Sequence, residues 1–235
     1  MVNKTFNPKI VILFYVVILL TTYLSRQLPN GLQFLLFKIT GLNLPFNYNH
    51  GIAVLLTSFL FYKFSTIKQR ISLLGNKDYL SLIFPAILFI GYSILGFENN
   101  YGVNKHLWAF VFCVATLIYD LMEEYAWRGY LIESLSSVRF WIKAVLSGVL
   151  WACWHFLIFE NFNQFGGFTY FLIFSIIFSI ILTYSTIKTK SIIVPATLHA
   201  TLSRTNYVTL ALFGIYFLVL ILWDKIKISK YNESR

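Results

Sequence analysis

Charged residues are scarce in this sequence, and acidic residues are the scarcest. Only 12% of the 235 residues are charged, with nine Asp plus Glu against nineteen Lys plus Arg. A soluble domain has about 25% charged residues. Together with 58% hydrophobic residues and a mean hydropathy of +0.70, this scarcity excludes an ordinary soluble domain. We therefore predict an all-α, polytopic membrane protein.

Cysteine is also scarce, which removes a large class of metal and redox sites. The two cysteines, Cys113 and Cys153, lie inside apolar segments, where cysteine usually acts as a small packing residue. The sequence has no CxxC pair and no HExxH metal motif. A thiolate metal site and a helix-borne HExxH site are therefore not expected.

Eight apolar runs organise the chain. They cover approximately 9–24, 51–64, 79–97, 107–122, 140–159, 168–187, 191–203 and 207–223. A spanning helix needs about 20 residues, so the second and seventh runs need flanking residues to cross a membrane. The segment 31–42 is shorter still, and its leucines share one helical face, which predicts a helix lying in the membrane interface. We predict about eight transmembrane helices in one membrane domain, 1–235.

The net charge of +10 does not indicate nucleic-acid binding, because the basic residues fall between the apolar runs. If the N-terminus is inside, eight spans leave only Arg26, Lys38, Lys105 and Arg204 on the outer side. The other fifteen of the nineteen basic residues are then inside, as the positive-inside rule requires. We predict a multi-pass protein with both termini in the cytoplasm and an uncleaved first span.

Three carboxylates lie at the end of the fourth apolar run, where they are costly. Asp120, Glu123 and Glu124 lie within five residues. A carboxylate at the centre of a bilayer costs about 2.5–3.5 kcal/mol or more. The helix could end before Glu123 and leave both glutamates in water. However, apolar and aromatic residues continue to a predicted turn near Ser136, so we predict that the glutamates lie inside the helix bundle.

Further polar side chains occur in the later apolar runs. Glu124 and Arg128 are four residues apart, in the favourable order for an ion pair on a helix. His155 and His199 lie in the fifth and seventh runs, and Ser203 follows His199 by four residues on the same predicted face. Each residue alone could be structural. Their joint occurrence in apolar helices predicts a buried polar site.

Other residues near these positions are predicted to have ordinary structural or solvent-exposed roles. His50 and His106 stand beside loops and are expected to be solvated. Trp151 and Trp154 are expected to be packing or interface aromatics. Asp120 could cap a helix or face the polar site.

Three short motifs resemble those of the CPBP family of CAAX proteases and bacteriocin-processing enzymes, also called the Abi family. EEYAWR at 123–128 resembles the family's EExxxR motif. WACWH at 151–155 resembles FxxxH, with Trp151 in place of Phe, and HATLS at 199–203 resembles HxxxN, with Ser203 in place of Asn. The resemblance implies an eight-helix intramembrane endopeptidase with its motif-bearing core in about 107–223.

The resemblance also implies partners and a location. The family's eukaryotic members are type II CAAX prenyl endopeptidases, whereas its bacterial members are linked to peptide-pheromone or bacteriocin processing, self-immunity and envelope regulation. A peptide or membrane-protein substrate in a bacterial cell membrane is therefore expected, with the lipid bilayer and not nucleic acid as the surroundings.

On this resemblance, Glu123 and Glu124 would activate a water molecule. His155 and His199 would position the water or polarise the scissile carbonyl, while Arg128 would orient the glutamates. Ser203 would support the developing oxyanion less well than the longer Asn. Two His and one Glu can also hold a zinc ion with an open position, so Glu124, His155 and His199 form an alternative divalent-metal site.

Two non-proteolytic functions remain open on sequence grounds. A membrane interaction or bacteriocin-immunity protein could use the polar centre as structure. An ion-coupled transporter could use buried Glu and His as a relay, although the paired broken helices and inverted repeats of such transporters are not evident.

Overall fold

A computed structural model describes residues 6–226, and ten α-helices form the bundle in this part of the chain. The predicted cytoplasmic ends, with Lys4, Lys227, Lys230 and Arg235, lie outside the described residues. The helices are α1 (Pro8–Arg26), α2 (Gly31–Thr40), α3 (Asn49–Phe64), α4 (Asp78–Leu95), α5 (Lys105–Glu124), α6 (Leu131–Ser134), α7 (Phe140–Trp154), α8 (Phe168–Thr189), α9 (Ile193–Thr201) and α10 (Tyr207–Leu222).

Every one of the eight apolar runs forms a helix, so the predicted all-α membrane fold is confirmed. Helix formation satisfies the backbone polar groups within each segment, which lipid cannot do. Five stretches are long and apolar enough to cross a membrane: Pro8–Arg26, Asp78–Leu95, Lys105–Ser134, Phe140–Leu157 and Phe168–Thr189. Large apolar side chains such as Ile12, Leu13 and Leu20 are exposed on the outside of the bundle, as lipid contact requires.

The predicted number of eight spans exceeds the five that length and composition support. Helices α3 and α10 have 16 residues each, and α9 has nine. In α9 every residue except His199 is buried. A short helix is tolerated at membrane depth when protein surrounds it, so α9 is an interior helix that presents one polar side chain.

Local sequence signals explain several helix ends. Asn7 and Asn104 accept hydrogen bonds from backbone N–H groups in the first turns of α1 and α5. Asn206 begins α10 with a capping box, in which its side chain accepts from Thr209 N–H and the Thr209 hydroxyl accepts from Asn206 N–H. At the other end of α2, Gly41 adopts φ 68°, a left-handed conformation that glycine adopts without strain.

One end of the bundle joins the two halves of the chain through the 65–77 loop. Ser72 forms an isolated parallel bridge with Ser191, and Asn76 N–H donates to the Thr189 carbonyl at 3.0 Å. Lys77 donates its ammonium to the carbonyl of Trp223, just after α10. The chain therefore returns to this end after α3, after α8 and after α10, which agrees with the predicted alternation of loops between two sides.

The opposite end is closed by Tyr92 at the end of α4. Its hydroxyl lies 2.7 Å from the Thr201 carbonyl and 2.7 Å from the Thr209 hydroxyl. These bonds connect α4 to both the end of α9 and the start of α10. They fix α9 lengthwise, and thereby fix the height of His199 within the bundle.

Candidate active site

The helix that carries the carboxylates changes its winding directly after them. Helix α5 ends at Glu124 and continues without interruption as a π-helical segment, Tyr125–Tyr130, into α6. Both glutamates are therefore inside one continuous helix of 30 residues, as predicted. A π-helical turn widens the helix and often occurs at functional positions. Here it carries Arg128, whose side chain is fully buried.

Glu124 lies between the side chains of Arg128 and His199. Its Oε2 atom is 3.4 Å from Arg128 Nε, and its Oε1 atom is 3.0 Å from His199 Nδ1. All three residues are on the interior side of the bundle, and neither Glu124 nor Arg128 is exposed. The predicted Glu124–Arg128 ion pair is thus present, and α9 adds a histidine to it.

Glu123 has a different environment from its neighbour. Its Oε2 atom accepts a hydrogen bond from the indole N–H of Trp151 at 2.9 Å, and the Tyr119 hydroxyl also faces its carboxylate. Among residues 6–226, no Lys, Arg or His nitrogen approaches Glu123 within 4.0 Å. Glu123 is therefore a buried carboxylate that is held by neutral donors.

His155 reaches the site through Trp151. Helix α7 ends at Trp154, and His155 begins a short 3₁₀ turn. The Nδ1 atom of His155 lies 2.8 Å from the Trp151 carbonyl oxygen. A carbonyl oxygen can only accept, so Nδ1 carries the hydrogen and donates it. In the neutral ring, Nε2 is then the nitrogen with a free lone pair.

Asp120 faces the polar site, which was one of the two positions expected for it. Its Oδ1 atom lies 3.6 Å from His199 Nδ1, so His199 faces two carboxylates. Asp120 is 3% exposed, which excludes a role as a solvated cap. Asp120 precedes Glu124 by four residues, which places both side chains on one face of the helix.

Ser203 differs from the other predicted site residues because it is exposed. Helix α9 ends at Thr201, and Leu202–Arg204 forms a 3₁₀ turn in which Ser203 is exposed. The prediction placed Ser203 on the His199 face by assuming that the helix continued, whereas the helix ends at Thr201, two residues before Ser203. The signal for an earlier end was present, since Asn206 precedes the last apolar run as a helix cap.

His50 is buried, although the sequence predicted a solvated side chain. It is 7% exposed instead of solvated, because it lies in the first turn of α3 and packs against α5 and α7. Its ring centroid is 5.2 Å from that of Tyr119 and 6.0 Å from that of Trp154. Gly51 beside it gives the Tyr119 ring its space, since a Cβ there would lie 3.0 Å from Tyr119 Cε2.

The ligand set predicted for a metal is not assembled. Glu124 Oε1 and His199 Nδ1 are in direct contact at 3.0 Å. Within residues 6–226, no three His, Cys, Asp or Glu side chains converge in a group that could hold a metal ion. The arrangement of these side chains therefore does not fit the predicted Glu–His–His site.

Residues 103–205 match the family model described as type II CAAX prenyl endopeptidase Rce1-like. This part of the chain is similar to the Rce1-like endopeptidases. The Rce1-like region contains all six predicted site residues: Glu123, Glu124, Arg128, His155, His199 and Ser203. The resemblance predicted from the three motifs is thereby confirmed, and it covers the helices α5 to α9 that build the site.

A curated relative supports the same resemblance over a longer stretch. The chain is 32% identical over 175 residues to CAAX prenyl protease 2 of Methanococcus maripaludis. The matched stretch is 61% of this chain and 64% of the relative, so the chain spans somewhat less than two thirds of that protein's length. It extends beyond the Rce1-like region, because that region has only 103 residues, from 103 to 205.

Proposed function

We propose that this protein is an intramembrane endopeptidase in which Glu123 activates the attacking water. The observation that carries the proposal is the assembly of Glu123, Glu124 and Arg128 from one helix with histidines from two others in an apolar interior. Buried ionisable groups are expensive, and such groups in a membrane protein indicate a functional site. The similarity of residues 103–205 to Rce1-like endopeptidases supports the same activity.

The two glutamates have different environments, which support different roles for them in the reaction. Glu124 contacts Arg128 at 3.4 Å and His199 at 3.0 Å, so its carboxylate is engaged in holding these two side chains. Within residues 6–226, the close partners of Glu123 are neutral donors. A general base must take a proton from water, so Glu123 is the better candidate.

The two histidines would have different roles: His155 would bind the attacking water, and His199 would stabilise the oxyanion. His155 donates through Nδ1 to a backbone carbonyl, so its Nε2 lone pair can accept a hydrogen bond from the attacking water. His199 has two carboxylates at Nδ1, which compensate a positive charge on the ring. Its Nε2–H can then donate to the oxyanion that forms on the scissile carbonyl, a contribution worth about 2.7–4 kcal/mol for one such donor in another protease.

The substrate class proposed here is a peptide or membrane protein that reaches the site from within the bilayer. The matched relative is named a prenyl protease, so a prenylated CAAX peptide is one substrate to test. Unprenylated pheromone-like and bacteriocin-leader peptides are the others, and they correspond to the predicted bacterial roles in peptide processing, self-immunity or envelope regulation.

The test is peptide cleavage by the purified protein in lipid vesicles, followed by mass spectrometry of the products. Glu123→Gln should lower turnover by about 100- to 10,000-fold, the usual contribution of a general base. Glu133→Gln is the matched control. Glu133 is a buried glutamate of the same continuous helix, but it binds the Tyr62 hydroxyl and the 65–77 loop.

The outcomes separate the alternatives. Cleavage that survives Glu123→Gln would contradict the assignment of the base. If the wild-type protein binds peptides but cleaves none from any of the three classes, the interaction or immunity function replaces the proposal. Proton or ion flux into the same vesicles without cleavage would instead indicate a transporter.

A further inference from the structure

Trp151 occupies the centre of the site. Its ring centroid lies 4.6 Å from that of His155 and 5.2 Å from that of His199. The guanidinium carbon of Arg128 is 6.0 Å from the same ring, at the outer limit of a cation–π contact. Trp151 is only 3% exposed. One side chain therefore touches residues from every helix that contributes to the site.

The polar atom of Trp151 is directed at the carboxylate assigned as the base. The indole Nε1–H can donate but cannot accept, and it donates to Oε2 of Glu123 at 2.9 Å. Together with the Tyr119 hydroxyl, which also hydrogen-bonds this carboxylate, the indole N–H restricts the orientation of the Glu123 carboxylate. A carboxylate restricted in this way would present its oxygens to the substrate water in a narrow range of orientations.

The indole is itself fixed by packing from α8. Its ring centroid lies 6.0 Å from that of Phe171 and 6.5 Å from that of Phe178. Both phenylalanines are buried. The direction of the N–H is thus set by the contact between α7 and α8 and does not depend on solvent.

We propose that Trp151 is a positioning residue of this site, which orients Glu123 through its indole N–H. The inference rests on the proposed function, since it requires that Glu123 act on the substrate water. It makes a specific demand on one hydrogen atom: an aromatic side chain of similar shape without the N–H should support binding but not efficient turnover.

Trp154 provides a matched control in the same helix. It is fully buried, and its indole N–H donates to the Thr22 hydroxyl of α1 at 2.8 Å. Its ring also contacts His155, with a centroid distance of 4.9 Å. Trp154→Phe therefore removes an equivalent hydrogen bond and makes the same change of ring size. It does not change any hydrogen bond of Glu123.

The experiment compares W151F and W154F in the vesicle cleavage assay, with kcat and KM measured separately. W151F should lower kcat roughly tenfold to a hundredfold, because misplacement of a catalytic group by about 1 Å has an effect of that order. Its KM should change less than about twofold, since the N–H contacts the base and not the substrate. W154F should retain both parameters within about threefold.

An isosteric replacement keeps the test decisive if W151F folds poorly. Incorporating 3-benzothienylalanine at position 151 exchanges the N–H for sulfur and preserves the bicyclic ring. The same selective loss of kcat is expected. An activity-independent readout is the indole ¹⁵N–¹H signal of Trp151, which should shift in Glu123→Gln while the Trp154 signal does not.

The failures of the two proposals are distinguishable. An active wild type in which W151F, or the benzothienyl variant, matches W154F overturns the positioning role and leaves the proposed endopeptidase intact. An equal rise in KM for both tryptophan variants likewise reduces Trp151 to a packing residue. A wild type without peptidase activity overturns both proposals.

Discussion

Gly148 is the position where the packing around the site is most sensitive to a single added carbon. It lies in α7, and a Cβ there would stand 2.8 Å from Ile176 Cα, 2.9 Å from Ser179 Cβ and 3.0 Å from the Ser175 carbonyl oxygen. Two of these atoms belong to the backbone of α8 and cannot turn aside. Gly148→Ala should therefore push α8 away from α7, or shift α7 along it.

The magnitude follows from two opposing terms. Overpacking of a close contact costs about 1–3 kcal/mol, and backbone neighbours place Gly148 toward the upper end. Exchange of Gly for Ala in a helix stabilises the folded state by about 1 kcal/mol. A net loss of about 1–2 kcal/mol is expected. At roughly 2–4 °C per kcal/mol for a chain of this size, the Tm should fall by about 2–8 °C.

Two other helical glycines serve as controls. A Cβ at Gly214 of α10 would meet nothing within 4 Å, so Gly214→Ala should raise the Tm slightly. At Gly91 of α4 the nearest atom is the Leu212 methyl Cδ2 at 2.8 Å, the end of a flexible side chain, so Gly91→Ala should fall between the two.

The measurement is thermal aggregation of the detergent-solubilised protein, followed by size-exclusion chromatography at increasing temperatures. The expected order of Tm, from highest to lowest, is Gly214→Ala, wild type, Gly91→Ala and Gly148→Ala. A Gly148→Ala protein as stable as Gly214→Ala would refute the close contact between α7 and α8. That result would also remove the packing that is proposed to hold Trp151.

Three further predictions concern the site and the topology. Glu124→Gln should destabilise the protein by about 3–5 kcal/mol, because it leaves buried Arg128 without its carboxylate; normal abundance and Tm would contradict the ion pair. Ser203→Ala should leave kcat within about twofold, since the Ser203 side chain is exposed; a larger loss would place its hydroxyl near the substrate. Reporter fusions after Lys77 should report the cytoplasm and a fusion near Gly166 the outside, and the reverse pattern would refute the predicted orientation.

The all-helical fold was accessible from sequence because lipid leaves few choices to the backbone. Each apolar run became a helix, and the turn expected near Ser136 separates α6 from α7. The number of spans was less accessible. Helix α9 is short because protein surrounds it, and its length depends on tertiary contacts such as the bond from Tyr92 to the Thr201 carbonyl.

The charged part of the site was predictable because helical spacing controls it. The Glu124–Arg128 pair and its approach to His199 follow from polar residues at interior positions of apolar helices. The hydrogen bond from Trp151 to Glu123 was not predictable, since an indole in an apolar run usually indicates packing. The π-helical turn at Tyr125–Tyr130 left no signal that spacing rules could detect, because its hydrogen-bond register depends on neighbouring helices.

Glu133, near the far end of the same helix, has a consequence for how such proteins diverge. Its carboxylate accepts from the backbone N–H groups of Arg70 and Ile71, at 2.5 and 3.0 Å. Every residue except proline offers that donor. Side chains at these two positions can therefore drift without loosening the loop from the site-bearing helix. Sequence similarity at Arg70 and Ile71 can therefore be lost during evolution, while the hydrogen bonds that hold this loop to the site-bearing helix are kept.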